Sequence, residues 1–369
     1  MNTLALPDAF TLSQFINATQ TPRPPAPHNP TPIHDPVLCW IIQHRYAGYQ
    51  LRDLIEAHTT LEPEYPVWCF DRMVQSCTSL PDGRQILISG EHEDFYDPDF
   101  FIYNDVVVIH PDGQIELFEY PLDQFPPTDF HTTIWDESRH RLMIIGNMSH
   151  PEYRQTHTTQ VAVLDLNTMQ ISMPTTTGHA PNWLSACQLE WHIAGKVLKI
   201  SQGQVMNSHF FACTKNLSDW FLDVQTWEWS KSDFPAPQHW CFYRSDLNWM
   251  HLYEMSRFFS SIQLNLDIHA AQQDLLESIG TIPSLTVFEQ LFQPPIAHQR
   301  IELADENCFN RTSLQIDNQP IQYIDEMFCI ELIMPHEFDP VLAQQLIEDL
   351  RSKLSLLENI EIIAIDLTD

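Results

Sequence analysis

Three apolar runs end in glycine at nearly equal intervals: RQILISG closes at Gly90, RLMIIG at Gly146 and KVLKISQG at Gly203, 56 and then 57 residues apart. A second landmark keeps step with the first. The segments YNDVVVIHPDGQIELF, TTQVAVLDLNTMQISM and SDWFLDVQTWEWS each carry an apolar run into a polar turn; with His110, Asp165 and Asp223 taken as equivalent, the intervals are 55 and 58. Two independent landmarks on one period require a supersecondary unit repeated three times, because a lone irregular core has no reason to return to the same pattern.

Each unit reads as four strands. A first strand (QSCTSL, HTTIWD, ACQLEW) leads through a short connection into the run that ends in glycine. PDGR at 81–84 and DESRHR at 136–141 supply the φ-permissive or Asx-type residues that such tight connections need. HPDG, DLNT and DVQT serve the same purpose between the third and fourth strands. Four strands in just over fifty residues is the size of a propeller blade. In YNDVVVIHPDG and LDVQTWEW, where an acidic turn leads to an aromatic strand, the chain resembles kelch-repeat propellers over about residues 68–235. It departs from them in having Ser89-Gly90, Ile145-Gly146 and Gln202-Gly203 where two glycines are usual, and in carrying the closing tryptophan only as Trp229. Closed propellers have four to eight blades. Either further, diverged blades lie in the flanks, or the three units form a partial propeller whose open face and edges the flanking segments cover.

The flanks differ in composition. Residues 21–36, TPRPPAPHNPTPIHDP, hold seven prolines, so they form neither helix nor ladder and must run extended as a strap. VLCWIIQHRYAGYQLRDLIEAH has a near-helical apolar spacing interrupted at Gly48, which predicts one or two helices. Past residue 240, SSIQLNLDI, IAHQRIELA, RTSLQIDN, PIQYID, MFCIELIMP and IEIIAIDL are strand candidates, and AAQQDLLESIG and SLTVFEQLF short helices. Asp339 can cap a helix with Pro340 at its first position, and Leu342, Leu346, Leu350, Leu354 and Leu357 then form one stripe. The expectation is a mainly β chain with an α+β part. A Pro-rich strap and helices (1–67) precede a kelch-like β-repeat domain (68–240) and a C-terminal α+β sandwich (241–369), with helices on one face of a mainly antiparallel sheet.

Charge narrows the function. Eighteen basic against 49 acidic residues give −31, spread along the chain. That balance repels nucleic acid, whose binding relies on Lys and Arg releasing phosphate counterions. It is also compatible with a soluble surface or with fast, steered association with a basic partner. The eight cysteines show no CxxC pair or zinc-knuckle spacing and read as reduced core thiols. No secretory leader or membrane-length apolar run is evident, so a cytoplasmic protein without membrane contact is expected. Nine glycines in the whole chain form neither a P-loop nor a dinucleotide fingerprint, and no GxSxG, HExxH or Cys–His signature occurs.

The densest chemistry is EHEDFYDPDFF, with Glu91, Glu93, Asp94, Asp97 and Asp99 around Tyr96. Hard cations want several oxygen ligands, but the spacing lacks the alternation and central glycine of an EF-hand, and the equivalent loops NMSHPEYRQTHTT and QVMNSHFFACTKN are not acidic. Neither a metal nor another cofactor is expected. Acids around aromatic anchors point instead to a partner contact. The expectation is a non-catalytic acidic module that binds a protein through Glu91, Glu93, Asp94, Tyr96, Asp97 and Asp99. Its most concrete form is a bacterial immunity protein that blocks a basic intracellular toxin or effector. The alternatives are a kelch-like adaptor or regulatory subunit, and a metal-dependent enzyme that joins the cluster to His92 or His110.

Overall fold

The computed structural model describes residues 6–58, 65–92, 100–207, 212–301 and 310–368. The chain divides into two compact units, Met1–Met206 with Ser218–Ser232, and Asn207–Leu217 with Asp233–Asp369. The N-terminal helices thus belong with the repeats. The later boundary falls before 240 because Gln238–Arg244, which straddles the expected division, is an interior strand of the second unit's sheet.

Beside short ladders of Glu91–His92 with Phe101–Ile102 and of Leu184–Ser185 with Gln204–Met206, the first unit is built on three main sheets, each with four antiparallel strands. In the first these are Ser76–Ser79, Gln85–Ile88, Asp105–Ile109 and Ile115–Glu119. In the second they are Thr132–Asp136, Arg141–Ile145, Val161–Asp165 and Ile171–Ser172. In the third they are Gln188–Ile193, Val197–Ser201, Trp220–Asp223 and Glu228–Lys231. Among the described residues the sheets do not close into a ring or barrel.

Hydrogen bonds between neighbouring sheets carry the period read from the sequence. His131 Nε2 meets Ser76 Oγ at 2.7 Å and Thr133 Oγ1 meets Thr78 Oγ1 at 2.9 Å, both pairs 55 residues apart. Thr132 Oγ1 donates to the Cys187 carbonyl over the same separation. Trp191 Nε1 to the Trp135 carbonyl and Arg139 to the Gly195 carbonyl each span 56. Equivalent positions of successive units are therefore neighbours in space.

Strand alternation distributes the side chains among successive cores. Leu87, Val107 and Leu117 face the helices Leu12–Thr19, Pro36–His44 and Gly48–Glu56, packing with Phe15, Ile41 and Leu51. Ile86, Ile88, Val106 and Val108 face the second sheet's Leu142, Ile144, Ala162 and Leu164. Met143, Ile145, Val161 and Val163 turn the other way, onto Leu198, Ile200 and Leu222 of the third sheet. The outer face of the third sheet is polar at its centre, where Lys199 pairs with Asp219 at 2.9 Å. The stack is thus closed by helices at one end and by a solvated face at the other.

The fourth-strand edges are also covered, which removes templates for pairing with other chains. Thr31–Ile33 adds an antiparallel strand to Ile115–Glu119, with Pro32 tolerated because the strand is an edge. Thr177–Gly178 adds a parallel one to Glu228–Lys231. On the second sheet the amide of Asn29 does the work of a strand: its Nδ2 donates to the Ile171 carbonyl at 2.6 Å and its Oδ1 accepts from Ile171 N at 2.9 Å. The proline-rich strap is thereby laid across two sheets.

The repeat glycines are a backbone requirement. Gly90, Gly146 and Gly203 have φ of 89°, 83° and 82°. A Cβ at Gly90 would sit 2.8 Å from the Met73 carbonyl oxygen, one at Gly146 2.9 Å from that of Leu184, and one at Gly203 against that of Ser185. The turns follow their residues equally well. Asp223 Oδ1 accepts from Gln225 N and Thr226 N, as Asp165 Oδ1 does from Asn167 N and Thr168 N. These amides, that of Gln225 foremost, hold the Asp223 carboxyl below its usual range.

The second unit is a six-stranded antiparallel sheet in the order Gln299–Ile301, Arg311–Ile316, Gln319–Asp325, Ile330–Met334, Gln238–Arg244, Ile362–Asp366. Helices Leu252–Gln263, His269–Ile279 and Pro340–Glu358 share one core with Phe242, Tyr323 and Leu332 of one sheet face. The helix expected after Asp339 forms with its cap, Oδ1 accepting from Val341 N and Leu342 N. Leu346, Leu350, Leu354 and Leu357 are buried along its stripe. SSIQLNLDI is not a strand: its first residues end the helix Leu252–Gln263, whose Leu252, Met255, Phe258 and Phe259 are buried at helical spacing, while Ile262, Leu264 and Leu266 are exposed. Cys69, Cys187, Cys241 and Cys329 are buried thiols in the core, but Cys77 is exposed.

Substitution of the glycines separates close packing from φ alone. Gly113 shares a φ of +86°, but a methyl group added there would enter open space, with nothing within 4 Å. Gly113→Ala is expected to lower stability by about 1 kcal/mol, and Gly203→Ala, which must also displace a carbonyl, by roughly 3 kcal/mol or more. Urea unfolding of the full chain measures both; equal costs would remove the contact with Ser185 as the reason for the glycine.

Candidate functional site

The acidic stretch begins in the stem of a hairpin. Glu91 pairs with Ile102 and His92 with Phe101 in a two-residue ladder that links the second and third strands of the first sheet. Of the residues expected to bind a partner, Glu91 lies in the described stem, while Glu93, Asp94, Tyr96, Asp97 and Asp99 lie outside the described residues. The aromatics that follow are packing groups. Phe101 meets Tyr103 edge-on at 5.0 Å and Phe100 meets His150 at 5.8 Å.

The hairpin is rooted in a buried ionic knot. Arg72 sets its guanidinium bidentate on Asp105 at 2.6 and 2.9 Å and donates further to the carbonyls of Cys69 and Ser89. Its Cζ lies 3.3 Å from the ring centroid of Tyr103 and 4.9 Å from that of Trp68. The side chains of both partners are almost wholly removed from solvent. The pair is therefore worth most as a fastener: taking two charges from water roughly cancels their attraction, but removing one leaves the other stranded.

Tyr103 extends the knot. Its hydroxyl accepts from Cys69 N at 3.1 Å and meets His92 Nδ1 at 2.6 Å. Burial first, and then the charges of Arg72 and Arg52, push the His92 imidazole down to about 3. An imidazole with so low a proton affinity is a weak general base near pH 7. Cys69, Tyr103 and His92 thus form one buried hydrogen-bonded chain.

On the other side of the stem, Glu91 shares a side-chain hydrogen bond with buried Asp129. Burial raises Asp129 above the usual carboxylate range, against the pull of the Ser149 amide, the bond to Glu91, the Met148 amide and Arg154. Asn147 ties the same corner together: its Oδ1 accepts from Asp129 N and its Nδ2 donates to the Pro127 carbonyl.

Beside this corner, under the strap, lies a cavity of about 270 Å³ whose lining includes Arg23, Phe101, Asp105, Glu119, Tyr120 and Tyr153. Arg23 on the strap reaches Glu119 at 2.8 Å. Sequence reasoning missed both the cavity and the Arg72–Asp105 knot. Asp105, just before a wholly apolar run, was the one available signal, since a carboxylate entering a buried strand needs a cation.

Of the groups in the metal-enzyme reading, Glu91, His92 and His110 lie among the described residues. His110 sits in the turn after the strand Asp105–Ile109, which pairs Gln85 with Ile109 and Ile88 with Val106, so it lies at the opposite end of the strands from Glu91, roughly 20 Å away. It meets Glu116 at 3.2 Å instead. Among the described residues no three His, Cys, Asp or Glu side chains are arranged to hold a metal ion. In the second unit, Glu358 receives Arg244 at 2.6 Å and His251 at 2.8 Å, and burial together with Glu326, Glu358 and Glu254 pushes Asp325 up to about 7.

No family model and no curated protein sequence matches the chain. Among solved structures, a fungal alcohol oxidase of the AA5 family in complex with copper is similar at a TM-score of 0.30 and 11% identity, over 44% of this chain and 43% of that one. The similar region is thus less than half of either protein. No helix among the described residues is long and apolar enough to cross a membrane.

One measurement tests the knot and a second the buried histidines. Asp105→Asn is expected to cost about 3–5 kcal/mol, and Arg72→Met with Asp105→Leu to recover part of that, since the carbonyls of Cys69 and Ser89 lose their donor. A double variant as unstable as the single would contradict the stranded-charge account. Second, burial holds His131 near 4 and His92 near 3. Unfolded histidines take up protons below about 6.5, so this stability is complete above that pH and is lost as pH falls towards 3, at up to about 1.4 kcal/mol per pH unit for each. His131→Gln should flatten the acid limb of a stability–pH curve relative to wild type; parallel curves would contradict the shift.

Proposed function

We propose that this protein is a non-catalytic acidic module that binds a basic protein, in its most concrete form an immunity protein that neutralises a basic intracellular toxin or effector. The observation that carries the reading is where the few cations go. Arg23, Arg72, Arg84, Arg139, Arg141, Lys199, Lys215, Arg244 and Lys353 are all engaged in ion pairs within the chain. With 18 basic residues in all, that leaves a large unpaired acidic excess to face solvent. Such a field attracts a basic partner and speeds its encounter.

The scaffold belongs to the same proposal. We infer that the three sheets are blades of a partial kelch-like propeller, on three grounds: the four-stranded meanders, the inter-sheet bonds at 55 and 56 residues, and the recurrent glycines. The hairpin stem that carries Glu91 follows the second strand of the first of these blades.

Capture from the native cell tests this reading. The expected partner is a basic protein that is toxic when expressed alone, with an association rate that falls steeply as salt rises. Lysine at 91, 93, 94, 97 and 99 should slow that association by about tenfold or more at low salt. A partner that is neither basic nor toxic, or a rate indifferent to salt, would overturn it.

A further inference from the structure

The cavity beneath the strap has a chemistry of its own. Aromatic rings of Trp68, Phe101, Tyr120 and Tyr153 line it, and Pro22, Pro24 and Pro25 line its strap side. These walls suit an apolar body. The charged groups among its lining are lopsided, with Asp105, Glu119 and Glu152 against Arg23, and a histidine, His150, beside them. Asp105 is matched by Arg72 and Glu119 by Arg23, whereas exposed Glu152 makes no ion pair among the described residues.

The protein also displays how this wall treats a cation. Arg72 lays its guanidinium against the rings of Tyr103 and Trp68 while its nitrogens reach a carboxylate. Aromatic faces attract cations through their quadrupole, most strongly where water is excluded. At about 270 Å³ the space suits one extended side chain and lies just below the lower end of the range for drug-sized ligands.

We propose that the cavity receives a single guanidinium or ammonium group carried on an unbranched aliphatic arm, the chemistry of an arginine or lysine side chain. The head group meets Glu152 at the mouth, and the arm lies between the aromatic and proline walls. The source of that side chain, a basic protein partner, rests on the function proposed above; the cavity's preference does not.

Calorimetric titration of the full chain with n-butylguanidinium and with its neutral isostere n-butylurea is the test. Butylguanidinium is expected to bind saturably in the millimolar range, with the urea at least about tenfold weaker. Glu152→Gln, at an exposed position that leaves the fold intact, should weaken the cation about fivefold, and Tyr153→Leu by a similar factor. Equal affinity for the urea, absence of saturation, or an unchanged affinity in Glu152→Gln overturns the proposal. The two readings fail separately. Saturable butylguanidinium binding without a basic partner from the cell sinks the partner and keeps the cavity; capture of a basic partner by a chain that ignores butylguanidinium does the reverse.

Discussion

A sheet with apolar side chains on both faces has to be covered twice, and the first unit is a solution to that constraint. Ile86 and Leu87 are adjacent in one strand and buried in different cores, as are Ile144 and Ile145 in the next sheet. Each sheet therefore obliges a neighbour on either side. The helices at the N-terminus meet the obligation for the first sheet, and polar residues on the third release it from needing a fourth. Terminal elements that present a solvated outer face are what allow a repeat array to stop.

Stacking leaves the strand edges to be dealt with, and here the proline-rich strap finds its place. A segment that cannot donate regularly to a ladder is a poor strand, but it suits an edge, where only alternate groups need partners. Thr31–Ile33 and the Asn29 amide satisfy two edges in succession. The same path carries Arg23 to Glu119 and closes the cavity. Edge protection and the walls of the candidate binding site are thus one structural feature.

The period, the glycines that end the second strands, the Asx turns and the capped helix Pro340–Glu358 were all legible, because each depends on residues close in sequence. The false strand over SSIQLNLDI shows the limit of that reasoning. Its alternation imitates a strand, yet helical burial of Leu252, Met255, Phe258 and Phe259 just before it carries the helix through Gln263. The acidic cluster was legible only as composition. Its stem proves to be a hairpin whose Glu91 turns to Asp129, 38 residues further on, and whose His92 turns inward to Tyr103.

From the sequence alone come the repeated four-strand unit, the change of pattern that follows it and an acidic excess, since local periodicity and charge are properties of the residues themselves. Tertiary structure alone decided that the carboxylate of Asp105 belongs to Arg72, that His92 is held neutral and that a strap far ahead of the first repeat strand closes a cavity. Those outcomes hang on which distant groups share a dry environment. Burial sets the cost of leaving a charge or a proton unpaired, and burial is known only when the sheets have been stacked.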